Sequence, residues 1–217
     1  MVLIEMFGLP GTGKTTLQKC LTDEIKGDLV IIKPIASELI CSVYWALWLA
    51  IKMFAKSPYL TLRFLGSLQS RRLLLKLGLR CSSINKNVSR RSESDKHVLL
   101  VDCGVIMPLV SAVVEEGWVW EKKSVVLLLN VLPLPNVCLS IFASPEEVYK
   151  RYTKRKKETS LSKNRFIYGE KLCEFLDNEL AERKISIYNH ENKNNISCDF
   201  INDIFKTILK DKKNDSI

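Results

Sequence analysis

Eight residues near the start of the chain have the types and spacing to hold a phosphate chain. Gly8-Leu9-Pro10-Gly11-Thr12-Gly13-Lys14-Thr15 fits the G-x-x-x-x-G-K-[ST] pattern, the Walker A or P-loop signature, in full. A phosphate chain carries dense negative charge. Glycines at 8, 11 and 13 let the backbone curl so that successive N–H groups point inward, with no Cβ in the way. A helix starting at the end of the loop adds its unsatisfied donors and its dipole. In this pattern Lys14 reaches the β- and γ-phosphates and the Thr15 hydroxyl is a Mg²⁺ ligand. Gly8, Gly11, Thr12, Gly13, Lys14 and Thr15 are therefore the expected nucleotide-binding residues, and Thr16 extends the helix start beside them.

A second candidate is Asp102. It follows Val98-Leu99-Leu100-Val101, an apolar run that reads as a buried strand. An acid at the end of such a strand holds Mg²⁺ in phosphate-loop enzymes. Asp102 is also placed to act as a general base toward an acceptor, or simply to cap the next helix. Many ATP hydrolases carry Glu at the next position to polarise water, whereas this chain has Cys103. That favours transfer to a bound acceptor over hydrolysis. Gly104 reads equally well as a turn residue or as a place where a ligand approaches the backbone.

These residues need a scaffold that brings them together. Val2 to Phe7 supplies a strand before the loop, and Thr15 to Ile25 a helix after it, with Leu17, Cys20, Leu21 and Ile25 at helical spacing. Leu29 to Pro34 reads as a second strand, stopped by the proline, and His97 to Asp102 as a third that ends on an acid. Val137 to Phe142 is a fourth and Asn195 to Cys198 a short fifth. Ser144-Pro145-Glu146-Glu147 opens a helix, with Ser as N-cap, Pro in the first turn and Glu three residues after the cap. Apolar strands alternating with helices predict a parallel sheet covered on both faces. Ligands in such sheets sit at the carboxyl ends of the strands, where the loop, Lys33 and Asp102 all fall.

The length of 217 residues fits one domain with an elaborate insert. Hydrophobic residues make up 47%, which excludes a disordered chain. Seven scattered cysteines with no C-x-x-C spacing read as free thiols in a reducing compartment. Met1 to Glu5 has no basic leader region, and the expected location is cytoplasmic. The net charge of +9 is concentrated: residues 60–100 and residues 150–165 each carry +7. Both regions call for anionic ligands or surfaces. Nucleic acid is disfavoured because no binding module is recognisable. A GTPase is disfavoured because Asn85-Lys86-Asn87-Val88 lacks the acid that would read a guanine.

Ile40 to Ile51 runs for twelve residues without a charge and includes Tyr44, Trp45 and Trp48. It is too short to span a bilayer, which takes about 20 apolar residues. The first expectation is a helix buried between the sheet and the rest of the insert. The alternatives are a peripheral membrane contact through 39–55, with the basic region downstream facing anionic headgroups, and an aromatic lining for an acceptor pocket.

The order of these features resembles the nucleoside and nucleotide kinase group of P-loop proteins, and within it thymidylate kinase-like proteins. The resemblance rests on GLPGTGKTTL at 8–17, VIIKP at 30–34, VLLVD at 98–102, NVCLSIFASPEEVYKRYTKRK at 136–156 and ISCDFINDIFKTIL at 196–209. It covers about a third of the chain. In that family a Pro-Glu-Glu helix carries an R-x-x-x-R pair and leads into a lid; Arg151 and Arg155 match the pair and share a helix face. The resemblance implies that Lys14, Asp102, Arg151 and Arg155 act on the transferring phosphoryl. It implies that Lys33, Arg71 or Arg72, and Arg165 near the lid tip contact the acceptor. Two departures stand out. The family's Asp-Arg pair is Asp102-Cys103 here, and its Arg-Glu-Pro is reduced to Lys33-Pro34.

The resulting expectation is a single P-loop kinase-like domain over 1–217, a three-layer α/β/α fold. It has a five-stranded parallel sheet in the order 2-3-1-4-5, a helical insert at about 39–96 and a lid at about 151–166. The expected activity is Mg²⁺-dependent transfer of the γ-phosphoryl of ATP to a small phosphate acceptor, a nucleotide or related phosphorylated metabolite. The alternative is a membrane-peripheral or regulatory ATP-binding protein with little turnover. A homodimer remains open.

Overall fold

The computed structural model describes residues 2–24, 29–32, 39–89, 98–101, 103–156 and 161–191. Strand β1 (Val2–Phe7) leads through the glycine loop into helix α1 (Lys14–Glu24). Strand β2 (Leu29–Ile32) is followed by three helices, α2 (Leu39–Lys56), α3 (Pro58–Leu65) and α4 (Leu68–Ser89), before β3 (Val98–Val101). Then come α5 (Met107–Val114), α6 (Lys122–Leu129), β4 (Val137–Phe142), α7 (Pro145–Lys156), α8 (Lys163–Glu182) and β5 (Ser186–Glu191).

All strand pairs are parallel, and the order is β2-β3-β1-β4-β5. This is the expected three-layer arrangement and strand order. The residues that form the fifth strand are not the expected ones. Ser186 to Glu191 pairs with β4 from Val137 to Phe142. The strand expected at 195–198 lies outside the described residues. Ser-Ile-Tyr-Asn-His-Glu is mostly polar because, among the described residues, β5 pairs only with β4 and stays partly exposed, so it carries no apolar run to announce it.

Alternation along the strands feeds two separate cores. Ile4, Met6, Val98, Leu100, Leu139 and Ile141 meet Leu17 and Leu21 of α1 on one face. Leu3, Phe7, Leu99 and Val101 point the other way, into the larger core built with the insert and with α5 and α8. Full burial of Leu17 and Leu21 is worth about 2 kcal/mol each, so α1 is held to the sheet by packing more than by helix propensity.

Within the insert, α2 buries Ser42, Ala46, Leu49 and Met53 on one side. It packs against α4 at Gly78, where an added Cβ would lie 2.3 Å from the Ser42 carbonyl oxygen and 2.7 Å from the Ala46 nitrogen. The two helices therefore touch backbone to backbone. Only one side of α2 is covered. Val43, Tyr44, Leu47, Ile51 and Phe54 remain exposed, which corrects the expectation of a helix enclosed by the insert. The insert is tied to the segment before α6 by the edge-to-face pair Phe64–Trp118, by Trp118 Nε1 donating to Ser70 Oγ at 3.1 Å, and by an Arg63–Glu121 ion pair. Among the described residues no helix is long and apolar enough to cross a membrane.

Candidate phosphate-binding site

The glycine loop leaves the end of β1 in the middle of the sheet. Gly8, Gly11 and Gly13 have φ of 141°, 101° and 97°, a region that L side chains rarely enter. Gly8 is the tightest of them. A Cβ there would sit 2.0 Å from the Ile141 carbonyl oxygen, so the loop is wedged against the end of β4. Thr12 closes the turn from within. Its Oγ1 donates to the Leu9 carbonyl at 3.0 Å, and the residue is buried. Thr12 therefore shapes the loop, and Thr15 and Thr16 face the cleft.

Lys14 is folded back over the loop. Its ammonium donates to the Gly8 carbonyl at 2.9 Å and the Leu9 carbonyl at 2.7 Å, and lies 3.4 Å from Thr12 Oγ1. Loss of solvent around the ammonium pushes its pKa down to about 8. The Cys173 and Cys103 thiols and Glu115 oppose that shift, and Arg155 adds to it. A nearby anion would raise the value again.

The loop opens on a cleft of about 660 Å³. Its walls come from the loop, from α4, from the start of α5 and from α7. Among the described residues lining it, Lys14, Lys76, Arg80, Arg151 and Arg155 are positive and Glu115 is negative. Arg151 lies on α7 beside the loop, since a Cβ on Gly11 would be 3.8 Å from Arg151 Cβ. It pairs with Glu147 one turn earlier. The Ser144 cap is present, with the Glu147 N–H 3.4 Å from Ser144 Oγ, and the Glu147 side chain reaches forward to Arg151.

Arg80 is the residue that the sequence did not single out. It lies on α4, two turns past the Arg71-Arg72 pair. Its Nε and Nη1 are enclosed and have no hydrogen-bond partner among the described residues. Arg71 instead spends its Nε on the Leu65 carbonyl at 2.7 Å, and both Arg71 and Arg72 are exposed, away from the cleft-lining set. The spacing Arg72, Lys76, Arg80 repeats every four residues and is the signal that could have found it.

Beneath Arg80 lies Glu5 of β1, 1% exposed. Its carboxylate accepts the backbone N–H groups of Val105 at 2.9 Å, Ile106 at 2.7 Å and Met107 at 2.9 Å, capping α5 from the sheet. Burial pushes its pKa up to about 7, against the pull of those three amides and of Arg80. Gly104 makes room for it: a Cβ there would be 2.4 Å from the carboxylate. Gly104 thus serves a close approach, with Glu5 as the approaching group. Cys103 lines the cleft with a left-handed φ of 55°.

Arg165 lies on α8 with its guanidinium against Gly117, 3.4 Å from the Glu115 carbonyl, and outside the cleft-lining set. Lys33 and Asp102 lie outside the described residues. The donor set fits a phosphate chain. The loop gives a nest of amides free of side chains, Thr15 gives a hydroxyl at its rim, and the walls are cationic.

No protein-family model matches the chain, and no curated protein sequence matches it. Solved structures do. Deoxyadenosine kinase from M. mycoides with bound dATP is similar at a TM-score of 0.56 and 13% identity, over 96% of this chain and 100% of that one. Thymidylate kinase from Ehrlichia chaffeensis is similar at a TM-score of 0.52 and 15% identity, over 96% of this chain and 98% of that one. The chain therefore has the fold of the P-loop nucleoside and nucleotide kinases. Its glycine loop occupies the place that this fold gives to phosphate recognition, after the first strand at the centre of the sheet.

Proposed function

We propose that the protein is a Mg²⁺-dependent phosphotransferase that moves the γ-phosphoryl of ATP to a small anionic acceptor, a nucleotide or related phosphorylated metabolite. One observation carries this reading: five cationic side chains from three separate elements line the cleft on which the glycine loop opens. The kinase fold of its structural neighbours supports it as well.

The loop amides and the first turn of α1 hold the donor phosphates. Lys14 exchanges the Gly8 and Leu9 carbonyls for phosphate oxygens. Arg151 and Arg155, one turn apart on α7, stabilise charge on the transferring group. Glu147 fixes the Arg151 guanidinium in advance, so little reorganisation is needed at transfer. Arg80, whose Nε and Nη1 have no hydrogen-bond partner among the described residues, lines the cleft from α4 and binds the anionic group of the acceptor. Thr15 and Asp102 would hold Mg²⁺, which would supply charge neutralisation along the donor phosphates. Glu5 is no general base, because its oxygens are taken up by three amides.

The test is ADP release in a coupled assay, run across nucleosides, nucleotides and sugar phosphates. Release that depends on one acceptor class supports the reading. ADP appearing at the same rate with no acceptor present defeats it.

A further inference from the structure

The outer side of α2 is unlike the rest of the surface. Val43, Tyr44, Leu47, Ile51 and Phe54 are between 48% and 67% exposed, and their spacing puts them on one face of the helix. The opposite face is consumed by α4, so this stripe is no part of the core. Isolated exposed apolar residues are ordinary, but a continuous stripe of five marks a contact surface.

Charge identifies the partner. Residues 39–89 hold eight Lys and Arg and no Asp or Glu. Arg63 pairs with Glu121, Lys76 pairs with Glu116, and Lys76 and Arg80 line the nucleotide cleft, so Lys52 and Lys56 are the cations of α2 itself. Trp48, Lys52 and Lys56 form a row four residues apart along one border of the stripe. The Lys52 ammonium sits 3.9 Å from the centre of the Trp48 ring. Lys56 continues into an open hollow of about 630 Å³ shared with Lys122 and Lys123, where Glu179 is the acid on the wall.

We infer that α2 docks the protein onto an anionic lipid bilayer, with the apolar stripe entering the headgroup region and Lys52 and Lys56 meeting lipid phosphates. This goes beyond the phosphotransfer reading and does not depend on it. Two other occupants fit less well. A twofold contact with a second copy sets the same surface against itself, and its lysines then face helices α2 to α4, which carry no acid. Nucleic acid would use the lysines but leave five aliphatic and aromatic side chains without a partner. A bilayer uses both, since hydrocarbon takes the stripe and the anionic surface takes the cations. The docking is peripheral, because no described helix is long and apolar enough to cross.

The experiment is flotation of the full chain with phosphatidylcholine vesicles, with and without phosphatidylserine, together with sedimentation of the chain alone. The expected result is flotation only with phosphatidylserine, falling as salt rises. Both Leu47→Glu/Ile51→Glu and Lys52→Glu/Lys56→Glu, each keeping the helical circular dichroism of the parent, should weaken it at least tenfold. Lys14→Ala should leave flotation unchanged, which separates this surface from the nucleotide site. No flotation with phosphatidylserine, or flotation that both double variants leave intact, overturns the inference. So does a dimer that Leu47→Glu/Ile51→Glu converts to monomer, because the stripe would then be a contact between copies.

Discussion

The Lys14 ammonium donates to the Leu9 carbonyl at 2.7 Å, inside the same loop that presents the lysine to the cleft. The cation is stored on backbone dipoles, with its pKa depressed to about 8 by loss of solvent. A phosphate chain entering the loop offers it a full negative charge instead. Binding should therefore draw a proton onto Lys14 when measured near pH 8. Calorimetry with MgATP in buffers of different ionisation enthalpy reads this directly. Proton uptake is expected at pH 8 and should vanish near pH 6, where Lys14 is already charged. Lys14→Ala should abolish the uptake and weaken binding at least a hundredfold without unfolding the chain. Unchanged affinity in that variant would remove the donor assignment.

Arg80 and Arg71 give opposite expectations. Arg80→Gln removes the guanidinium from the cleft wall and should raise the acceptor KM at least tenfold, with the KM for ATP changed little. Arg71→Gln loses a hydrogen bond to the Leu65 carbonyl on the exposed side of α4, and activity should stay within about twofold. Steady-state kinetics with the acceptor found by the screen separates the two. The reverse ranking would return the acceptor site to the Arg71-Arg72 pair.

Glu5 makes part of the folding stability depend on pH. Its pKa is raised from the ordinary 4.5 to about 7, chiefly by burial. Between those values the folded chain binds a proton that the unfolded chain has released. The contribution is complete below 4.5 and is lost as pH rises through 7, a difference on the order of 3 kcal/mol. Glu5→Gln should remove this slope while costing about 1 kcal/mol throughout, because its amide nitrogen cannot accept the Val105 N–H. Urea midpoints of both proteins across that pH range provide the comparison. Parallel curves would mean that Glu5 does not titrate there. Arg80→Gln should move the transition to higher pH, since Arg80 helps to hold the carboxylate charged.

Gly78→Ala sets two effects against each other. Alanine is the better helix former by about 1 kcal/mol. Its methyl would lie 2.3 Å from the Ser42 carbonyl oxygen and 2.7 Å from the Ala46 nitrogen, both backbone atoms that cannot swing aside. Overpacking of that kind costs about 1–3 kcal/mol, and the rigid neighbours place this site at the upper end. The net expectation is a lower urea midpoint. A more stable variant would show that α2 and α4 sit further apart than described.

Much of the site was legible because its parts are local. The strand, loop and helix around Lys14 share one stretch of sequence, and so do Ser144, Glu147, Arg151 and Arg155 on α7. The parallel sheet is legible from apolar strands alternating with helices, and its order from the resemblance to P-loop kinases. What escaped depends on long-range packing. Arg80 shares a four-residue spacing with Arg72 and Lys76, but only the packing of α4 against α2 and α5 settles that Arg80, and not Arg72, lines the cleft. Glu5 looks like an interruption in an apolar strand until Val105, Ile106 and Met107 arrive from about a hundred residues away to bind it. β5 stayed hidden because an edge strand does not need an apolar run. The apolar run at 40–51 suggested full burial, but hydropathy cannot report that α4 covers only one side.

β1 lies between β3 and β4, with a further strand outside each of them. The chain's weakest margins, β2 and β5, can fray without loosening the strand from which the glycine turn springs. Amide protons of Ile4 and Met6 should therefore outlast those of Ile31 and Ile187 in exchange with deuterated solvent. The cradle hangs from the last piece of the sheet to come apart.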